Sequence, residues 1–135
     1  MNSEIKKPYL IQIENHNSKN GSVNVISFEQ IIPFNVKRIF YVSNFKTGET
    51  RGKHSHKECW QFLIPLHGLI KIYCHDGAKE FNFVLKNKNE GLVVPPGVWC
   101  EQTYMGDEDI LLVLTSEDYD PEDYIHDFDI FLKSL

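Results

Sequence analysis

The sequence predicts an all-β fold, a closed sandwich or barrel. Three observations carry this. About nine short apolar segments follow one another at near-even spacing, separated by turn residues. β-branched and aromatic residues dominate those segments. The apolar repeat of an amphipathic helix is absent, except over Glu122–Leu135, a stretch of poor helix formers.

The predicted strands run in order. Tyr9–Ile13, Val23–Ser27 and Val36–Val42 open the series. Cys59–Leu66 and Gly68–His75 follow. Within the latter, Ile70-Lys71-Ile72-Tyr73-Cys74-His75 alternates as a strand with one wet face does. Asp76-Gly77 then signals a hairpin, because glycine supplies the positive φ of a tight turn. Lys79–Leu85, Gly91–Val94, Trp99–Thr103 and Ile110–Thr115 complete the set. Gly68, Gly77, Gly91 and Gly97 fall in turns or at strand ends. Tyr119–Tyr124 reads as a turn or one helical turn. His16, His67, His75 and His126 are assigned to the surface or to loops.

Composition bounds the function. The 135 residues make one domain, 1–135, with no linker, repeat or charge block inside it. Fourteen basic against 19 acidic residues give a net charge of −5, the opposite of a duplex-coating protein. No apolar run reaches the ~18 residues of a membrane helix, and the N-terminal residues do not resemble a secretory signal. Cys59, Cys74 and Cys100 are an odd number at unpatterned spacing. They are expected to be reduced thiols of a cytoplasmic protein, Cys59 and Cys74 in the core.

The chemistry concentrates in Arg51-Gly52-Lys53-His54-Ser55-His56-Lys57-Glu58-Cys59-Trp60-Gln61. His54 and His56 are two apart, so on a strand both imidazoles share a face. Gln61 follows His56 with four residues between, and Gly68 follows Gln61 with six. A second element is Gly91-Leu92-Val93-Val94-Pro95-Pro96-Gly97-Val98-Trp99-Cys100. Together they resemble the paired motifs of the cupin superfamily, which implies a jelly-roll sandwich or barrel. Two positions depart from the metal-binding pattern: Gln61 stands for its glutamate and Cys100 for its last histidine. A neutral amide is a poor ligand beside a carboxylate. Zinc held by His54, His56 and Cys100 is the alternative the residues leave open.

Within the cupins, the chain resembles the small dTDP-sugar 3,4-ketoisomerases over nearly its whole length. The likeness lies in Ile32–Tyr41, in Arg51-Gly52-Lys53-His54-Ser55-His56-Lys57, in Gly91–Trp99, and in the tail Leu114–Ile125 with its Ser-Glu-Asp-Tyr-Asp-Pro-Glu-Asp-Tyr-Ile. The resemblance implies conversion of dTDP-4-keto-6-deoxyglucose to a 3-keto sugar, in deoxyamino-sugar synthesis for a lipopolysaccharide or S-layer glycan. It implies a homodimer with exchanged N-terminal strands, and neither cofactor nor metal. His54 and His56 match its acid/base histidines, Tyr41 its barrel tyrosine and Arg38 the arginine before it. Cys100 stands where the family often has histidine, and Asn20 where it often has arginine.

Moving a carbonyl from C4 to C3 is proton chemistry. A base near neutral pKa takes the C3 proton, an enediol forms, and C4 is reprotonated. Histidine fits, with His54 as base at C3 and His56 polarising or shuttling the oxygen proton, or the reverse. Arg38, Arg51 and Lys71 are the candidate grips on the diphosphate. Gln61 is a candidate hydrogen-bond partner of either histidine. Tyr41, a third candidate catalytic residue, and Trp99 are candidate sugar or thymine contacts, and Gln61 and Cys100 are further candidate substrate contacts. The expected partners are a dTDP-linked keto sugar and a second copy, with neither nucleic acid nor membrane. The alternatives are a non-catalytic sugar-binding cupin, a metal-dependent oxygenase and a 3,5-epimerase.

Overall fold

Alternation of apolar and polar side chains sorts the strands into two facing sheets. They are seen in a computed structural model that describes residues 7–135. The strands are β1 Tyr9–Gln12, β2 Glu14–Ser18, β3 Gly21–Val25, β4 Arg38–Val42, β5 Thr50–His56, β6 Gln61–His67, β7 Ile70–His75, β8 Glu80–Leu85, β9 Glu90–Val94, β10 Trp99–Tyr104, β11 Ile110–Thr115 and β12 Tyr124–Ile125. Two short helices accompany them, α1 Phe28–Ile31 and α2 Phe128–Lys133, with a 3-10 turn at Pro121–Asp123.

One sheet has the order β1-β9-β6-β11-β4, the other β12-β5-β10-β7-β8, and β2 and β3 form a separate ribbon. Every pairing is antiparallel. This is the jelly-roll sandwich the sequence predicts.

Leu63, Ile70, Ile72, Leu85, Leu92 and Leu111 fill the space between the sheets, each at most 1% exposed. Burial of each such side chain stabilises the fold by ~1.5–3 kcal/mol. Phe62, Ile64, Val93 and Leu114 point the other way, into a second cluster with Ile13 and Ile32. That cluster explains why Gln61–Pro65 in β6 is buried throughout and reads as a continuous apolar run.

Some elements differ from the sequence reading. β2 is missed because Glu14-Asn15-His16-Asn17-Ser18 is wholly polar and pairs only with β3. β5 carries no apolar residue, so its strand character rests on pairing with β10 and β12. The pattern over Glu122–Leu135 resolves into the end of the 3-10 turn, β12 and α2. Asp127 caps α2 by accepting from the Ile130 amide at 3.0 Å. Among the described residues, no helix is long and apolar enough to cross a membrane.

Candidate active site

β5 owes its geometry to one extra residue. Cys100 pairs with His54 but Glu101 pairs with Gly52, so Lys53 is bulged out of the ladder. Gly52 has φ +88° and Lys53 φ +53°. A left-handed glycine at the first position of a bulge is the arrangement that glycine allows most readily. The bulge re-aims the strand: Arg51 and His54 are three apart, yet both line the same cavity.

The cavity has a volume of about 310 Å³, at the lower end of the range for small-molecule sites. Phe40, Val42 and Val113 give it apolar walls, and Gln61 and Gln102 supply amides. Arg51, Tyr124 and His126 also line it, with the Arg51 guanidinium 4.6 Å from the Phe45 ring centroid.

His54 Nδ1 lies 2.9 Å from the Gly52 carbonyl oxygen. A carbonyl only accepts, so Nδ1 carries the proton and Nε2 keeps its lone pair. Burial holds the His54 pKa down to about 4, and the neighbouring His56 and His126 push the same way, against the Gly52 hydrogen bond. The ring is therefore a neutral base at pH 7.

His56 is 5% exposed and lies behind the cavity wall. Its ring meets that of His54 edge-on, centroids 4.9 Å apart, and that of Tyr124 at 4.4 Å. His56 Nδ1 is 2.8 Å from Asp123 Oδ2, while its Nε2 is buried without a partner. Burial lowers its pKa, and Asp123 works against that shift. Tyr124 sits 4.9 Å from His54. Burial raises its phenol pKa, which keeps the hydroxyl a donor, although Arg38 pulls it down.

Of the sequence-predicted residues, the structure brings His54, Arg51 and Gln61 to the cavity, with His56 directly behind. Arg38 stands alongside. Its Nε donates to Thr115 Oγ1 at 3.3 Å, and its guanidinium lies 5.1 Å from Phe40 and 5.7 Å from Tyr119.

Four other candidates lie outside that cavity. Tyr41 is 70% exposed on the outer face of β4, because Phe40 and Val42 take the inward positions. Lys71 points to solvent from between buried Ile70 and Ile72. Trp99 is buried against Phe128 and Phe131 beneath α2, its Nε1 donating to Glu101 Oε2 at 2.8 Å. Cys100 belongs to the apolar core, opposite Cys74.

The cysteine expected to join a metal trio is therefore not the one beside a histidine–carboxylate pair. The ligand atoms that come within 4.8 Å of one another are those of His56, Cys59 and Asp123. There the His56–Asp123 hydrogen bond is closed, Cys59 Sγ donates to the Trp60 carbonyl at 3.3 Å, and burial pushes the thiol pKa up. The Cys59 thiol keeps its proton and His56 Nδ1 is already engaged by Asp123, a poor fit to a cation that needs deprotonated, available ligands.

Tyr124, His126, Gln102 and Phe45 line the cavity and Asp123 bonds His56 behind it, placements the sequence reading missed. The Asp-Tyr-Ile of the tail was visible as a motif, but nothing local tied it to the histidine strand.

Comparison with known proteins follows the same lines. The family model FdtA (WxcM-like, C-terminal) matches residues 6–135. A TDP-4-oxo-6-deoxy-alpha-D-glucose-3,4-oxoisomerase from Aneurinibacillus thermoaerophilus is 36% identical over 115 residues, covering 85% of this chain and 83% of that protein. The crystal structure of QdtA, a sugar 3,4-ketoisomerase from Thermoanaerobacterium thermosaccharolyticum in complex with TDP, is 35% identical. It covers 96% of this chain and 95% of its own, with a TM-score of 0.91. A mutant of QdtA in complex with TDP-4-keto-6-deoxyglucose aligns with a TM-score of 0.90 at 35% identity, covering 94% of this chain and 92% of that one.

Proposed function

The chain belongs to the FdtA (WxcM-like, C-terminal) family, and we propose that it is a 3,4-ketoisomerase that moves the carbonyl of TDP-4-keto-6-deoxyglucose from C4 to C3. The observation that carries this is His54: a neutral imidazole in the cavity wall, with Nδ1–H tied to Gly52 and Nε2 free. The relatives named above support the substrate class.

The C4 ketone acidifies the C3 proton. His54 Nε2 takes it, and the C3–H electron pair becomes the C3–C4 double bond of an enediol. The imidazolium then returns a proton to C4 as the C3 carbonyl forms. Over the cycle O4 gains a proton and O3 loses one. His56 serves that oxygen-proton transfer from behind His54, and the Tyr124 hydroxyl donates to the enolate oxygen. Donors held in place at a developing oxyanion need no reorganisation as the charge appears. The apolar walls keep bulk water from quenching the intermediate.

The protein's net charge would repel a diphosphate. Arg51 at the cavity supplies the local positive charge that offsets this. The same residues support a wider reading. Residues 1–135 act as a single cupin domain. Three free, buried cysteines suit the cytoplasm. The partner is a second copy, supported by the apolar outer face of β4, where Ile39 is 53% exposed beside Tyr41.

Incubation with TDP-4-keto-6-deoxyglucose in deuterium oxide, followed by NMR, tests the reading. The expected result is a carbonyl at C3 and solvent deuterium at C4, lost in the His54→Asn variant. Binding without movement of the carbonyl would leave a sugar-binding cupin, and exchange at C5 would make the protein an epimerase.

A further inference from the structure

We propose that Asp123 is a positioning residue for His56: the C-terminal segment delivers its carboxylate to Nδ1, fixing the imidazole as the tautomer whose lone pair is on Nε2. The inference rests on the reading of His54 and His56 as the acid–base pair.

The segment is built for this delivery. Asp120 caps the 3-10 turn, its side chain accepting from the Glu122 amide at 3.0 Å, and Pro121 presets the first position. The turn ends at Asp123. β12 follows immediately, with Tyr124 paired to His56 and Ile125 to Ser55. The Asp123 carbonyl also accepts from the Lys57 amide at 2.9 Å. Asp123 is therefore held by its backbone on both sides of the histidine strand's end.

Its side chain is as firmly held. Oδ1 accepts from the Glu58 amide at 2.7 Å. Oδ2 accepts from His56 Nδ1 at 2.8 Å and from the Cys59 amide at 3.3 Å. Backbone amides can only donate, so both carboxylate oxygens act as acceptors here. The proton between Asp123 and His56 therefore belongs to Nδ1. The two side chains are 10% and 5% exposed, so water does not compete for that bond.

What the bond leaves behind is informative. His56 Nε2 is buried with no partner. Orphaned buried nitrogens are rare in folded proteins and gather where function uses them. A ring free to flip or change tautomer would present a hydrogen or a carbon at that point half the time. Asp123 removes the choice. The charged and titratable groups around the ring are His54 on β5, Cys59 just beyond it, Asp123, Tyr124 and His126 on the tail, and Arg38 on β4. Asp123 is the one among them hydrogen-bonded to it.

Long-range nitrogen–proton NMR of the wild-type protein reads the tautomer without any mutation. The expected spectrum has His56 protonated on Nδ1 with an unprotonated Nε2. Asp123→Asn and Asp123→Ala, checked for folding by circular dichroism, are expected to lower kcat about 10- to 100-fold with KM little changed. In Asp123→Asn, His56 is expected to lose its single tautomer. A wild-type spectrum with the proton on Nε2 overturns the proposal. So does a folded Asp123→Asn variant with kcat within twofold of wild type and an unaltered His56 signal. If neither variant folds, the wild-type spectrum decides. Full activity in both His54→Asn and His56→Asn would instead sink the acid–base reading. A dead His56→Asn beside an active Asp123→Asn would sink only the role of Asp123.

Discussion

The Nδ1–H of His54 donates to the carbonyl oxygen of Gly52, two residues upstream and 2.9 Å away. That contact exists because the chain between them is coiled into a bulge, with positive φ at Gly52 and Lys53. The backbone oddity and the orientation of the His54 ring are thus one feature.

Gly52→Ala follows directly. A Cβ at residue 52 would lie 3.1 Å from the Cys100 carbonyl oxygen, on a backbone of φ +88° that L side chains rarely adopt. The strain costs ~1–3 kcal/mol. Relief by moving the Gly52 carbonyl would free the His54 ring. Chemical denaturation is expected to show the stability loss, and turnover is expected to fall about tenfold or more. A variant as stable and active as wild type would mean that the bulge does not hold the base.

The pH dependence has a worked sign. Folding lowers the His54 pKa to about 4 from 6.5 in the unfolded chain. Between those values the unfolded chain binds more protons, so stability rises with pH across that window. It is lost as pH falls from about 6.5 toward 4, by on the order of 2–3 kcal/mol. His56 shifts in the same direction. Activity follows the neutral His54 ring: kcat/KM is expected to hold level down to about pH 5 and to fall with an apparent pKa near 4. An acid limb centred near 6.5 would place an exposed, ordinary histidine in the role of base.

Tyrosine substitutions separate the structural reading of the barrel from the motif reading. Tyr124→Phe removes the hydroxyl of a ring packed against both histidines and is expected to lower kcat roughly 10- to 100-fold. Tyr41→Phe removes one from the outer face, 70% exposed, and is expected to leave kcat within about twofold. The reverse order in steady-state kinetics would show that Tyr41 reaches the substrate.

The strands whose faces differ in polarity were legible, and the site was legible only in part. Asp76-Gly77 announced its hairpin, and in the structure the Asp76 side chain accepts from the amides of Ala78 and Lys79 while Gly77 takes φ +98°. The shared face of His54 and His56 followed from counting by two. Arg51 joins that face only through the bulge, which no apolar pattern records. The outward placement of Tyr41 was not legible because Ile39-Phe40-Tyr41-Val42 is apolar on both sides, so its parity does not say which side is inside. Asp123 lies 67 positions from His56, and the two meet only through long-range contacts of the tail with β5 and the residues after it.

The same two-sided character of β4 leads to a prediction about assembly. β4 is an edge strand, paired with β11 alone. Ile39 and Tyr41 stand on its outer face beside Leu112 and Leu114, continuous with the second apolar cluster. An edge that carries exposed apolar side chains is a template for pairing or for face-to-face association. Ile39→Asp places a charge on that face without touching the cavity, since the inward positions belong to Phe40 and Val42. Light scattering after size exclusion is expected to show a dimer for wild type and a monomer for Ile39→Asp, with the monomer still folded by circular dichroism. Dimers for both would move the interface elsewhere. A wild-type monomer would mean that Ile39 and Tyr41 are tolerated in water, and that the second copy is not part of the working enzyme.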